Sequence, residues 1–248
     1  MQIEMASATD IGCVRQRNED YILIQPDCRF AILADGLGGH RAGNVASKIA
    51  SKFLAMYLRR CTAEGSMLSL ADIRNAFLFA NHTVRRASRR KPNRQGMGTT
   101  LLLAAFLNET LLYGYLGDSR LYRVRRHRLQ QLTQDHTLAQ EFLGSGTIRP
   151  DDERFAAYNA MLSRSIGSGR RIQPDIGSYA LHHDDLYMLC SDGLSDYVPE
   201  NEIANLLIPG KSRLASSARD LVDIALTKGG PDNISIVLVR VLKNGTGH

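Results

Sequence analysis

The sequence of 248 residues lacks the features of several specialised protein classes. No apolar run approaches the roughly 20 residues that span a bilayer, and the N-terminus lacks the basic and then apolar pattern of a signal peptide. The cysteines, Cys13, Cys28, Cys61 and Cys190, form no Cys-x-x-Cys pair, which disfavours zinc held by thiolates. We therefore expect a cytoplasmic protein with no membrane span, in which Cys190 is a small buried apolar residue.

Aromatic residues make up only 6% of the chain, and they do not interleave its two basic clusters. The first cluster lies between Arg85 and Arg94, the second between Arg123 and Arg128, and together they contribute to a net charge of +6. Proteins that bind single-stranded nucleic acid combine such charge with aromatic platforms. We therefore expect no nucleic-acid partner and favour two solvated faces, with docking of acidic or phosphorylated partners as the alternative.

Internal repeats and linker-like segments are also missing. The hydrophobic content of 44% and charged content of 23% are those of an ordinary globular protein. We expect one domain over residues 1–243, with an irregular flap at about 136–171 that contains short helices, and a flexible tail at 244–248.

Hydrophobic periodicity predicts strands joined by short turns, together with helices that have one apolar face. The expected strands are 3–8, 21–25, 30–35, 99–107, 110–116, 120–124, 128–133, 176–179, 185–190 and 234–242. The expected helices begin near Ala42, after the N-cap Ser69, and at about 199–207 and 213–228. Such closely connected strands favour antiparallel pairing, because parallel neighbours need a long crossover.

Four aspartates stand where hydrophobic runs meet glycine or small polar residues. Asp35, Asp118 and Asp192 close apolar stretches, and Asp232 opens one. A carboxylate at the end of a buried strand is costly to desolvate unless a positive charge meets it, and oxygen ligands suit a hard divalent cation. Ordinary turn chemistry explains any one of these residues alone, but their repetition favours a shared metal site.

Six motifs carry a resemblance to a known family. They are Val14-Arg15-Gln16-Arg17-Asn18-Glu19-Asp20, Asp35-Gly36-Leu37-Gly38-Gly39-His40, Gly98-Thr99-Thr100, Gly117-Asp118-Ser119-Arg120, Ser191-Asp192-Gly193-Leu194 and Asp232-Asn233. In this order they resemble the metal-dependent type 2C protein phosphatases, the PPM family, in its compact bacterial form. The resemblance implies an α+β fold, a sandwich of two antiparallel β-sheets flanked by α-helices in a four-layer αββα arrangement.

The resemblance also implies two Mn²⁺ or Mg²⁺ ions. Asp35 is similar to the carboxylate that bridges both ions, with the backbone carbonyl of Gly36 on one of them. Asp192 and Asp232 resemble ligands of the other ion. Asp118 is similar to the ligand of a third, weaker ion.

Three further residues match family positions around the substrate phosphate. Glu19 and Asp20 resemble the acidic pair that holds metal-bound waters, and Arg15 resembles the cation that receives the phosphate. A surface cation beside two acids is the plainer interpretation of Arg15, but the motif favours the phosphate ligand. Leu37 stands where eukaryotic members place a candidate general acid, so His40, three residues further on, is assigned no catalytic role.

The resemblance implies a phosphatase of phosphorylated Ser/Thr proteins, a monomer that opposes a Ser/Thr protein kinase in bacterial signalling. Two bridged cations lower the pKa of a water that attacks phosphorus directly, so no nucleophilic side chain is required. A hydrolase of small phosphate esters and a catalytically weak module that binds phosphoproteins are the alternatives. The second alternative is disfavoured because every metal-ligand motif residue is present.

Overall fold

The computed structural model describes residues 1–37, 42–63, 67–211 and 213–243. The expectations for Gly38, Gly39, His40 and the tail 244–248 lie outside these ranges. The strands are β1 (Gln2–Asp10), β2 (Tyr21–Gln25), β3 (Phe30–Ala34), β4 (Leu101–Leu107), β5 (Thr110–Leu116), β6 (Arg120–Arg125), β7 (Arg128–Gln131), β8 (Asp175–Ala180), β9 (Leu186–Cys190) and β10 (Ile234–Leu242). The helices are α1 (Gly43–Ala63), α2 (Leu70–Arg90), α3 (Leu138–Gly144), α4 (Phe155–Asn159), α5 (Asp192–Ser195), α6 (Glu200–Gly210) and α7 (Leu214–Thr227).

The strands form two five-stranded sheets in which every neighbouring pair is antiparallel. The first sheet has the order β1-β10-β9-β6-β7 and the second the order β2-β3-β4-β5-β8. Ala104, Phe106, Tyr187 and Val239 belong to a buried cluster built from strands of both sheets. The expected antiparallel pairing is therefore confirmed, and the two sheets share a core.

Helices cover the outer face of each sheet. The α1 and α2 helices pack on the second sheet, where their apolar stripes join residues such as Ile32 and Leu103 in one buried cluster. The α6 and α7 helices cover the first sheet, and α7 contacts β1 and β10. This arrangement confirms the predicted four-layer αββα sandwich, because one apolar stripe on each helix meets one apolar sheet face.

The local signals in the sequence are confirmed where they are strong. Ser69 caps α2 in a reciprocal capping box with Asp72, in which each side chain bonds the other residue's backbone N–H. The irregular segment after β7 contains the two short helices α3 and α4, as expected. The sequence analysis missed α5 and a short 3-10 helix, Pro92–Arg94, because neither is long enough to show periodicity.

The structure bears on membrane-spanning helices and on the environment of Cys190. Among the described residues, no helix combines the length and the apolar character required to cross a bilayer. Cys190 is fully buried at the end of β9, where it packs beneath α5 and α7, which confirms its interpretation as a small apolar residue.

Candidate active site

The four aspartates singled out from the sequence line one cleft of about 730 Å³. Asp35 follows β3, Asp118 lies in the turn between β5 and β6, Asp192 begins α5 after β9, and Asp232 precedes β10. The cleft also receives Arg15, Glu19 and Gly36, so all but one of the predicted site residues line it. The exception is Asp20.

Strand register explains why residues so distant in sequence meet. Cys190, the last residue of β9, pairs with Ile236 near the start of β10 and with Arg120 at the start of β6. In antiparallel neighbours, the end of one strand and the beginning of the next lie at the same end of the sheet. Asp118, Asp192 and Asp232 therefore meet at one end of the first sheet.

Asp35 comes from the second sheet, and two threonines hold its backbone. Its N–H donates to Thr100 Oγ1 at 2.8 Å. Its carbonyl accepts from the Thr99 hydroxyl at 2.7 Å and from the Thr100 N–H at 2.8 Å. These contacts give the two threonines a structural role behind the site, because they fix where the Asp35 carboxylate emerges.

A close approach of two backbone segments explains the glycine at position 36. A Cβ atom there would collide with the backbone of Gly43 at the start of α1. The Gly36 N–H donates to the carbonyl of Glu19 at 3.1 Å, which joins the two acidic segments of the site. Glycine at this position thus brings α1, Glu19 and Asp35 together.

Burial and mutual repulsion raise the pKa values of the clustered carboxyls. Desolvation is the main cause for Asp192, whose pKa rises to about 6 with a further contribution from Asp232. The same order of causes raises the pKa of Asp35 well above its ordinary range, through burial first and then the charges of Asp20 and Asp192. Burial likewise raises the pKa of Asp118. The cluster therefore lacks the positive charge that would let all its members ionise at neutral pH.

Asp20 lies behind the cleft rather than on its surface. Its Oδ2 atom accepts from the Ser191 hydroxyl at 2.9 Å, and burial raises its pKa to about 7. Among the residues that the structure describes, its buried Oδ1 atom has no hydrogen-bond partner, and neither has Oδ1 of Asp192. Buried carboxylate oxygens are almost always partnered, so these two atoms mark a place for a cation or an ordered water.

The donor set suits hard cations that retain water ligands. Within the described ranges, no group of three or more His, Cys, Asp or Glu side chains is arranged as a ready-made site for an ion. Mg²⁺ is commonly held by one or two carboxylates while it keeps several waters, so such a group is not required. The two unpartnered carboxylate oxygens and the raised pKa values fit this mode of binding.

Arg15 meets the cluster from the cleft wall. Its Nη2 atom lies 2.6 Å from Oδ2 of Asp232, and 44% of its side chain is exposed. The guanidinium is therefore close to the carboxylates and still accessible from solvent. This position suits a ligand for an anion that enters the cleft.

Asn233 is a site residue that the sequence analysis quoted in a motif without assigning it a role. Its side-chain amide donates to the carbonyls of Ile11 at 2.9 Å and Arg17 at 3.0 Å. Its Oδ1 atom accepts from the Glu19 N–H at 2.8 Å. Asn233 thus holds the loop that carries Arg15 against the start of β10, and its place directly after Asp232 was the only available signal.

His136 supports the turn that carries Asp118. Its Nδ1 atom accepts from the Gly117 N–H at 3.1 Å, and its Nε2 atom lies 3.2 Å from Asp175. The ring stacks on Tyr115 with the centroids 4.7 Å apart, and burial lowers its pKa. These contacts give His136 a structural role beside the site.

Residues from two further segments complete the cleft. Asn159, Ala160 and Leu162 of the predicted flap line one side, and Asp196 and Tyr197 after α5 line another. The sequence analysis assigned no role to the last two, because neither falls within a recognisable motif. They add an acid and an aromatic ring to the lining of the cleft.

Comparison with known proteins gives the class to which this fold and site belong. A family model described as "Protein phosphatase 2C" matches residues 14–234. The serine/threonine protein phosphatase PstP of Mycobacterium tuberculosis H37Rv is 35% identical over 247 residues, which are 99% of this chain and 46% of PstP. Protein phosphatase PhpP of Streptococcus pneumoniae D39 is 33% identical over 96% of this chain and 98% of PhpP.

Solved structures give the same answer. A crystal structure of Mycobacterium tuberculosis PstP/Ppp matches with a TM-score of 0.88 at 33% identity, covering 98% of this chain and 100% of that one. The PstP catalytic domain in complex with two manganese ions matches with a TM-score of 0.83 at 32% identity, covering 97% and 99%. The chain belongs to the type 2C protein phosphatase family, the PPM family, and spans about half the length of PstP.

Proposed function

We propose that this protein is a metal-dependent protein serine/threonine phosphatase that hydrolyses phosphoserine and phosphothreonine by direct attack of water. One observation carries the proposal: among the described residues, Asp20 and Asp192 each bury a carboxylate oxygen without a partner, and Asp192 lines the same cleft as the partly exposed cation of Arg15. Such a cleft offers negative charge to metal ions and positive charge to a phosphate. A site that binds both is suited to phosphoryl transfer to water.

The clustered carboxylates are the proposed metal ligands. Asp35, Asp192 and Asp232, with the backbone carbonyl of Gly36, would hold two Mn²⁺ or Mg²⁺ ions, and Asp118 would contribute to a third, weaker site. Bound ions would lower the pKa of a water molecule and neutralise charge on the phosphoryl oxygens. The PstP catalytic domain, crystallised with two manganese ions, supports this use of the cleft.

The remaining residues position the reactants. Arg15 presents a planar fork that matches two phosphate oxygens, and its charge is permanent. Glu19 and Asp20 would accept hydrogen bonds from water and so orient it for attack. Cys190 is not a nucleophile, because burial raises its pKa to about 12 and the thiolate is not formed at neutral pH.

The names of the relatives support the substrate class. PstP is named a serine/threonine protein phosphatase and PhpP a protein phosphatase. We accordingly infer phosphorylated Ser/Thr proteins as substrates, a Ser/Thr protein kinase as the opposing enzyme, a monomeric state and a cytoplasmic location. The interpretation of residues 1–243 as one catalytic domain, with a flap that shapes specificity, belongs to the same proposal.

Hydrolysis assays test this function directly. A phosphoserine peptide, a phosphothreonine peptide, a nucleotide and a generic aryl phosphate would each be offered with Mn²⁺, Mg²⁺, Ca²⁺ or a chelator. We expect turnover with Mn²⁺ or Mg²⁺, loss of turnover in chelator and in Asp192→Asn, and higher kcat/KM for the peptides than for the nucleotide.

Three results would contradict the proposal. Turnover that persists in chelator would show that the reaction needs no metal ions. A phosphoenzyme trapped on a side chain would exclude direct attack of water on the substrate phosphate. Comparable efficiency on nucleotides and phosphopeptides would indicate a hydrolase of small phosphate esters instead.

A further inference from the structure

The second basic cluster is not the simple solvated face that the sequence favoured. Leu121 of β6 belongs to the core between the two sheets, and side chains alternate along a strand, so Arg123 and Arg125 lie on the same face. Their partners on β7 are Gln130 and Arg128. Arginines thus occupy the inward face of the first sheet at the end where the shared core stops.

Specific contacts hold two of these arginines in place. The Arg123 guanidinium lies over the ring of Tyr179 at 5.4 Å and donates to Gln130 at 2.7 Å. Arg125 donates to both carboxylate oxygens of Asp185, at 2.8 and 2.7 Å. Arginines oriented in this way lose less side-chain freedom when their remaining N–H groups bind an acceptor.

The arginines line a concavity of about 570 Å³ at this corner of the sandwich. Its lining residues are Arg123, Arg125, Arg126, Arg128, Gln130 and His182. Asp185 is fully engaged by Arg125, and the neighbouring Asp184 faces Arg240 and His183 instead. Asp185 thus offsets the charge of Arg125, but among the described lining residues no carboxylate offsets Arg123, Arg126 and Arg128, so the concavity keeps a surplus of positive charge.

We propose that this concavity is a docking site for an acidic, Asp- and Glu-rich segment of the protein substrate, separate from the catalytic cleft. Arg126, Arg128 and His182 are exposed and spread along its rim, which suits several carboxylates of an extended chain better than one small anion. A nucleic acid would need an open aromatic platform. Arg123 covers one side of the Tyr179 ring, and Tyr113 stacks on that ring at 5.5 Å.

The position of the concavity fits substrate docking. Asp118 precedes β6 by two residues at the catalytic end of the sandwich, and Arg125 ends the same strand. At about 3.3 Å per residue, the two sites are on the order of 20 Å apart, which roughly ten extended residues can span. A phosphorylated residue in the cleft and an acidic segment in the concavity can therefore belong to one polypeptide.

Protection of sheet edges is the competing explanation for these charges. β7 and β8 are edge strands of the first and second sheets, and inward-pointing charges discourage edges from pairing with other chains. Such protection requires charge alone and predicts no ligand. The two explanations differ in whether an acidic peptide binds and in whether removing the charge causes self-association.

A binding titration separates them. A fluorescein-labelled peptide of Asp, Glu, Gly and Ser, without phosphate, would be titrated with the whole chain and followed by fluorescence anisotropy. We expect Arg126→Glu/Arg128→Glu to weaken binding by about tenfold or more. Arg86→Glu/Arg89→Glu, the same charge change at exposed positions of the first basic cluster, is expected to stay within about twofold of wild type.

Each other outcome overturns the proposal. Equally weakened peptide binding in both double variants would show general electrostatic attraction. If the wild-type protein does not bind the peptide, the concavity is not a docking site for it. Tighter binding of single-stranded DNA of equal charge would indicate that the concavity binds a nucleic acid and not an acidic peptide. Unchanged peptide binding with new self-association of the neutral variant Arg126→Gln/Arg128→Gln would establish edge protection.

Turnover of an aryl phosphate, which cannot reach the concavity and the cleft together, controls for folding. We expect both double variants to retain wild-type rates on it. This arm and the assignment of the acidic segment to a protein substrate rest on the proposed function, whereas the titration does not. If no variant and no wild-type protein hydrolyses the aryl phosphate, the phosphatase proposal fails, while the titration still decides whether the concavity binds acidic peptides.

Discussion

Arg15 and Asp232 form an ion pair at 2.6 Å across the wall of the cleft. The pair joins the proposed phosphate ligand to a proposed metal ligand, although 217 positions separate them in sequence. A cation on the Asp232 carboxylate would compete with the guanidinium for the same oxygens. Arg15 would then be available for the substrate phosphate, so metal loading and phosphate binding are expected to support one another.

Arg15→Ala should therefore raise KM for a phosphopeptide by about tenfold or more and change kcat much less, because it removes binding of the ground state and the transition state alike. Arg15→Lys keeps the charge without the planar fork, so its KM should lie between those of the wild type and Arg15→Ala. Steady-state kinetics with saturating Mn²⁺ measures both constants. A fall in kcat alone would place the contact of Arg15 in the transition state.

Asp192→Asn should weaken Mn²⁺ binding and leave the metal-free protein at least as stable as wild type. The substitution removes a ligand, but it also removes a carboxylate whose pKa is raised by burial and by the charge of Asp232. Thermal unfolding with Mn²⁺ and with chelator tests both expectations. The exposed Asp220→Asn on α7 is the matched control. A variant that Mn²⁺ stabilises as much as wild type would exclude Asp192 as a ligand.

Asn233→Ala should destabilise the protein by about 2–3 kcal/mol, because it removes three part-buried hydrogen bonds to backbone groups of the loop near Arg15. Urea unfolding measures the loss. Asn201→Ala, at an exposed position of α6, should stay within about 0.5 kcal/mol of wild type. The loosened loop should also raise KM for phosphopeptides, and wild-type stability with wild-type KM would refute the anchoring role.

Arg125→Ala should destabilise the protein at neutral pH by about 2–4 kcal/mol, because it strands the buried carboxylate of Asp185. Burial alone would raise the pKa of Asp185, but the bonds from Arg125, the His182 N–H and the Tyr187 hydroxyl lower it overall. A carboxyl whose pKa is lower in the folded than in the unfolded state stabilises the fold at pH values above its unfolded pKa. This stabilisation is lost as the pH falls through the folded pKa. The deficit of Arg125→Ala should accordingly shrink below about pH 4.

Urea unfolding at neutral and acidic pH measures this deficit. Arg126→Ala, an exposed position in the same turn, is the control and should be within about 0.5 kcal/mol of wild type at both pH values. A deficit that does not change with pH would mean that Arg125 stabilises the fold by packing and not through the charge of Asp185.

Local features of the fold were predictable because neighbouring residues encode them. The apolar stripe of α2 and its cap at Ser69 are visible within a few turns of sequence, and so are the alternating or continuous apolar runs of the strands. α5 was missed because four residues carry no period. The position of Asp192 was nevertheless correct, since a strand end followed by Asp-Gly is also a local signal.

The composition of the cleft was largely predictable as well, but its internal arrangement was not. The motifs named the carboxylates and Arg15, whereas the structure separated Asp20 from Glu19 and placed it behind the cleft surface. Asn233 acquired its anchoring role only through contacts with a loop more than 200 positions away. Side-chain identity does not indicate such partners, because they depend on strand register.

The sequence by itself determined the family, the order of the strands and helices, and the set of acidic residues at strand ends, since each depends on short-range pattern and residue chemistry. Only the tertiary structure decided which residues meet: Arg15 with Asp232, Asn233 with its loop, and the arginines of β6 with those of β7. The physical reason is that antiparallel pairing brings residues that are distant in sequence to one end of a sheet, while alternate side chains of each strand lie on opposite faces. A cluster that resembled a solvated face in sequence thereby became a basic concavity.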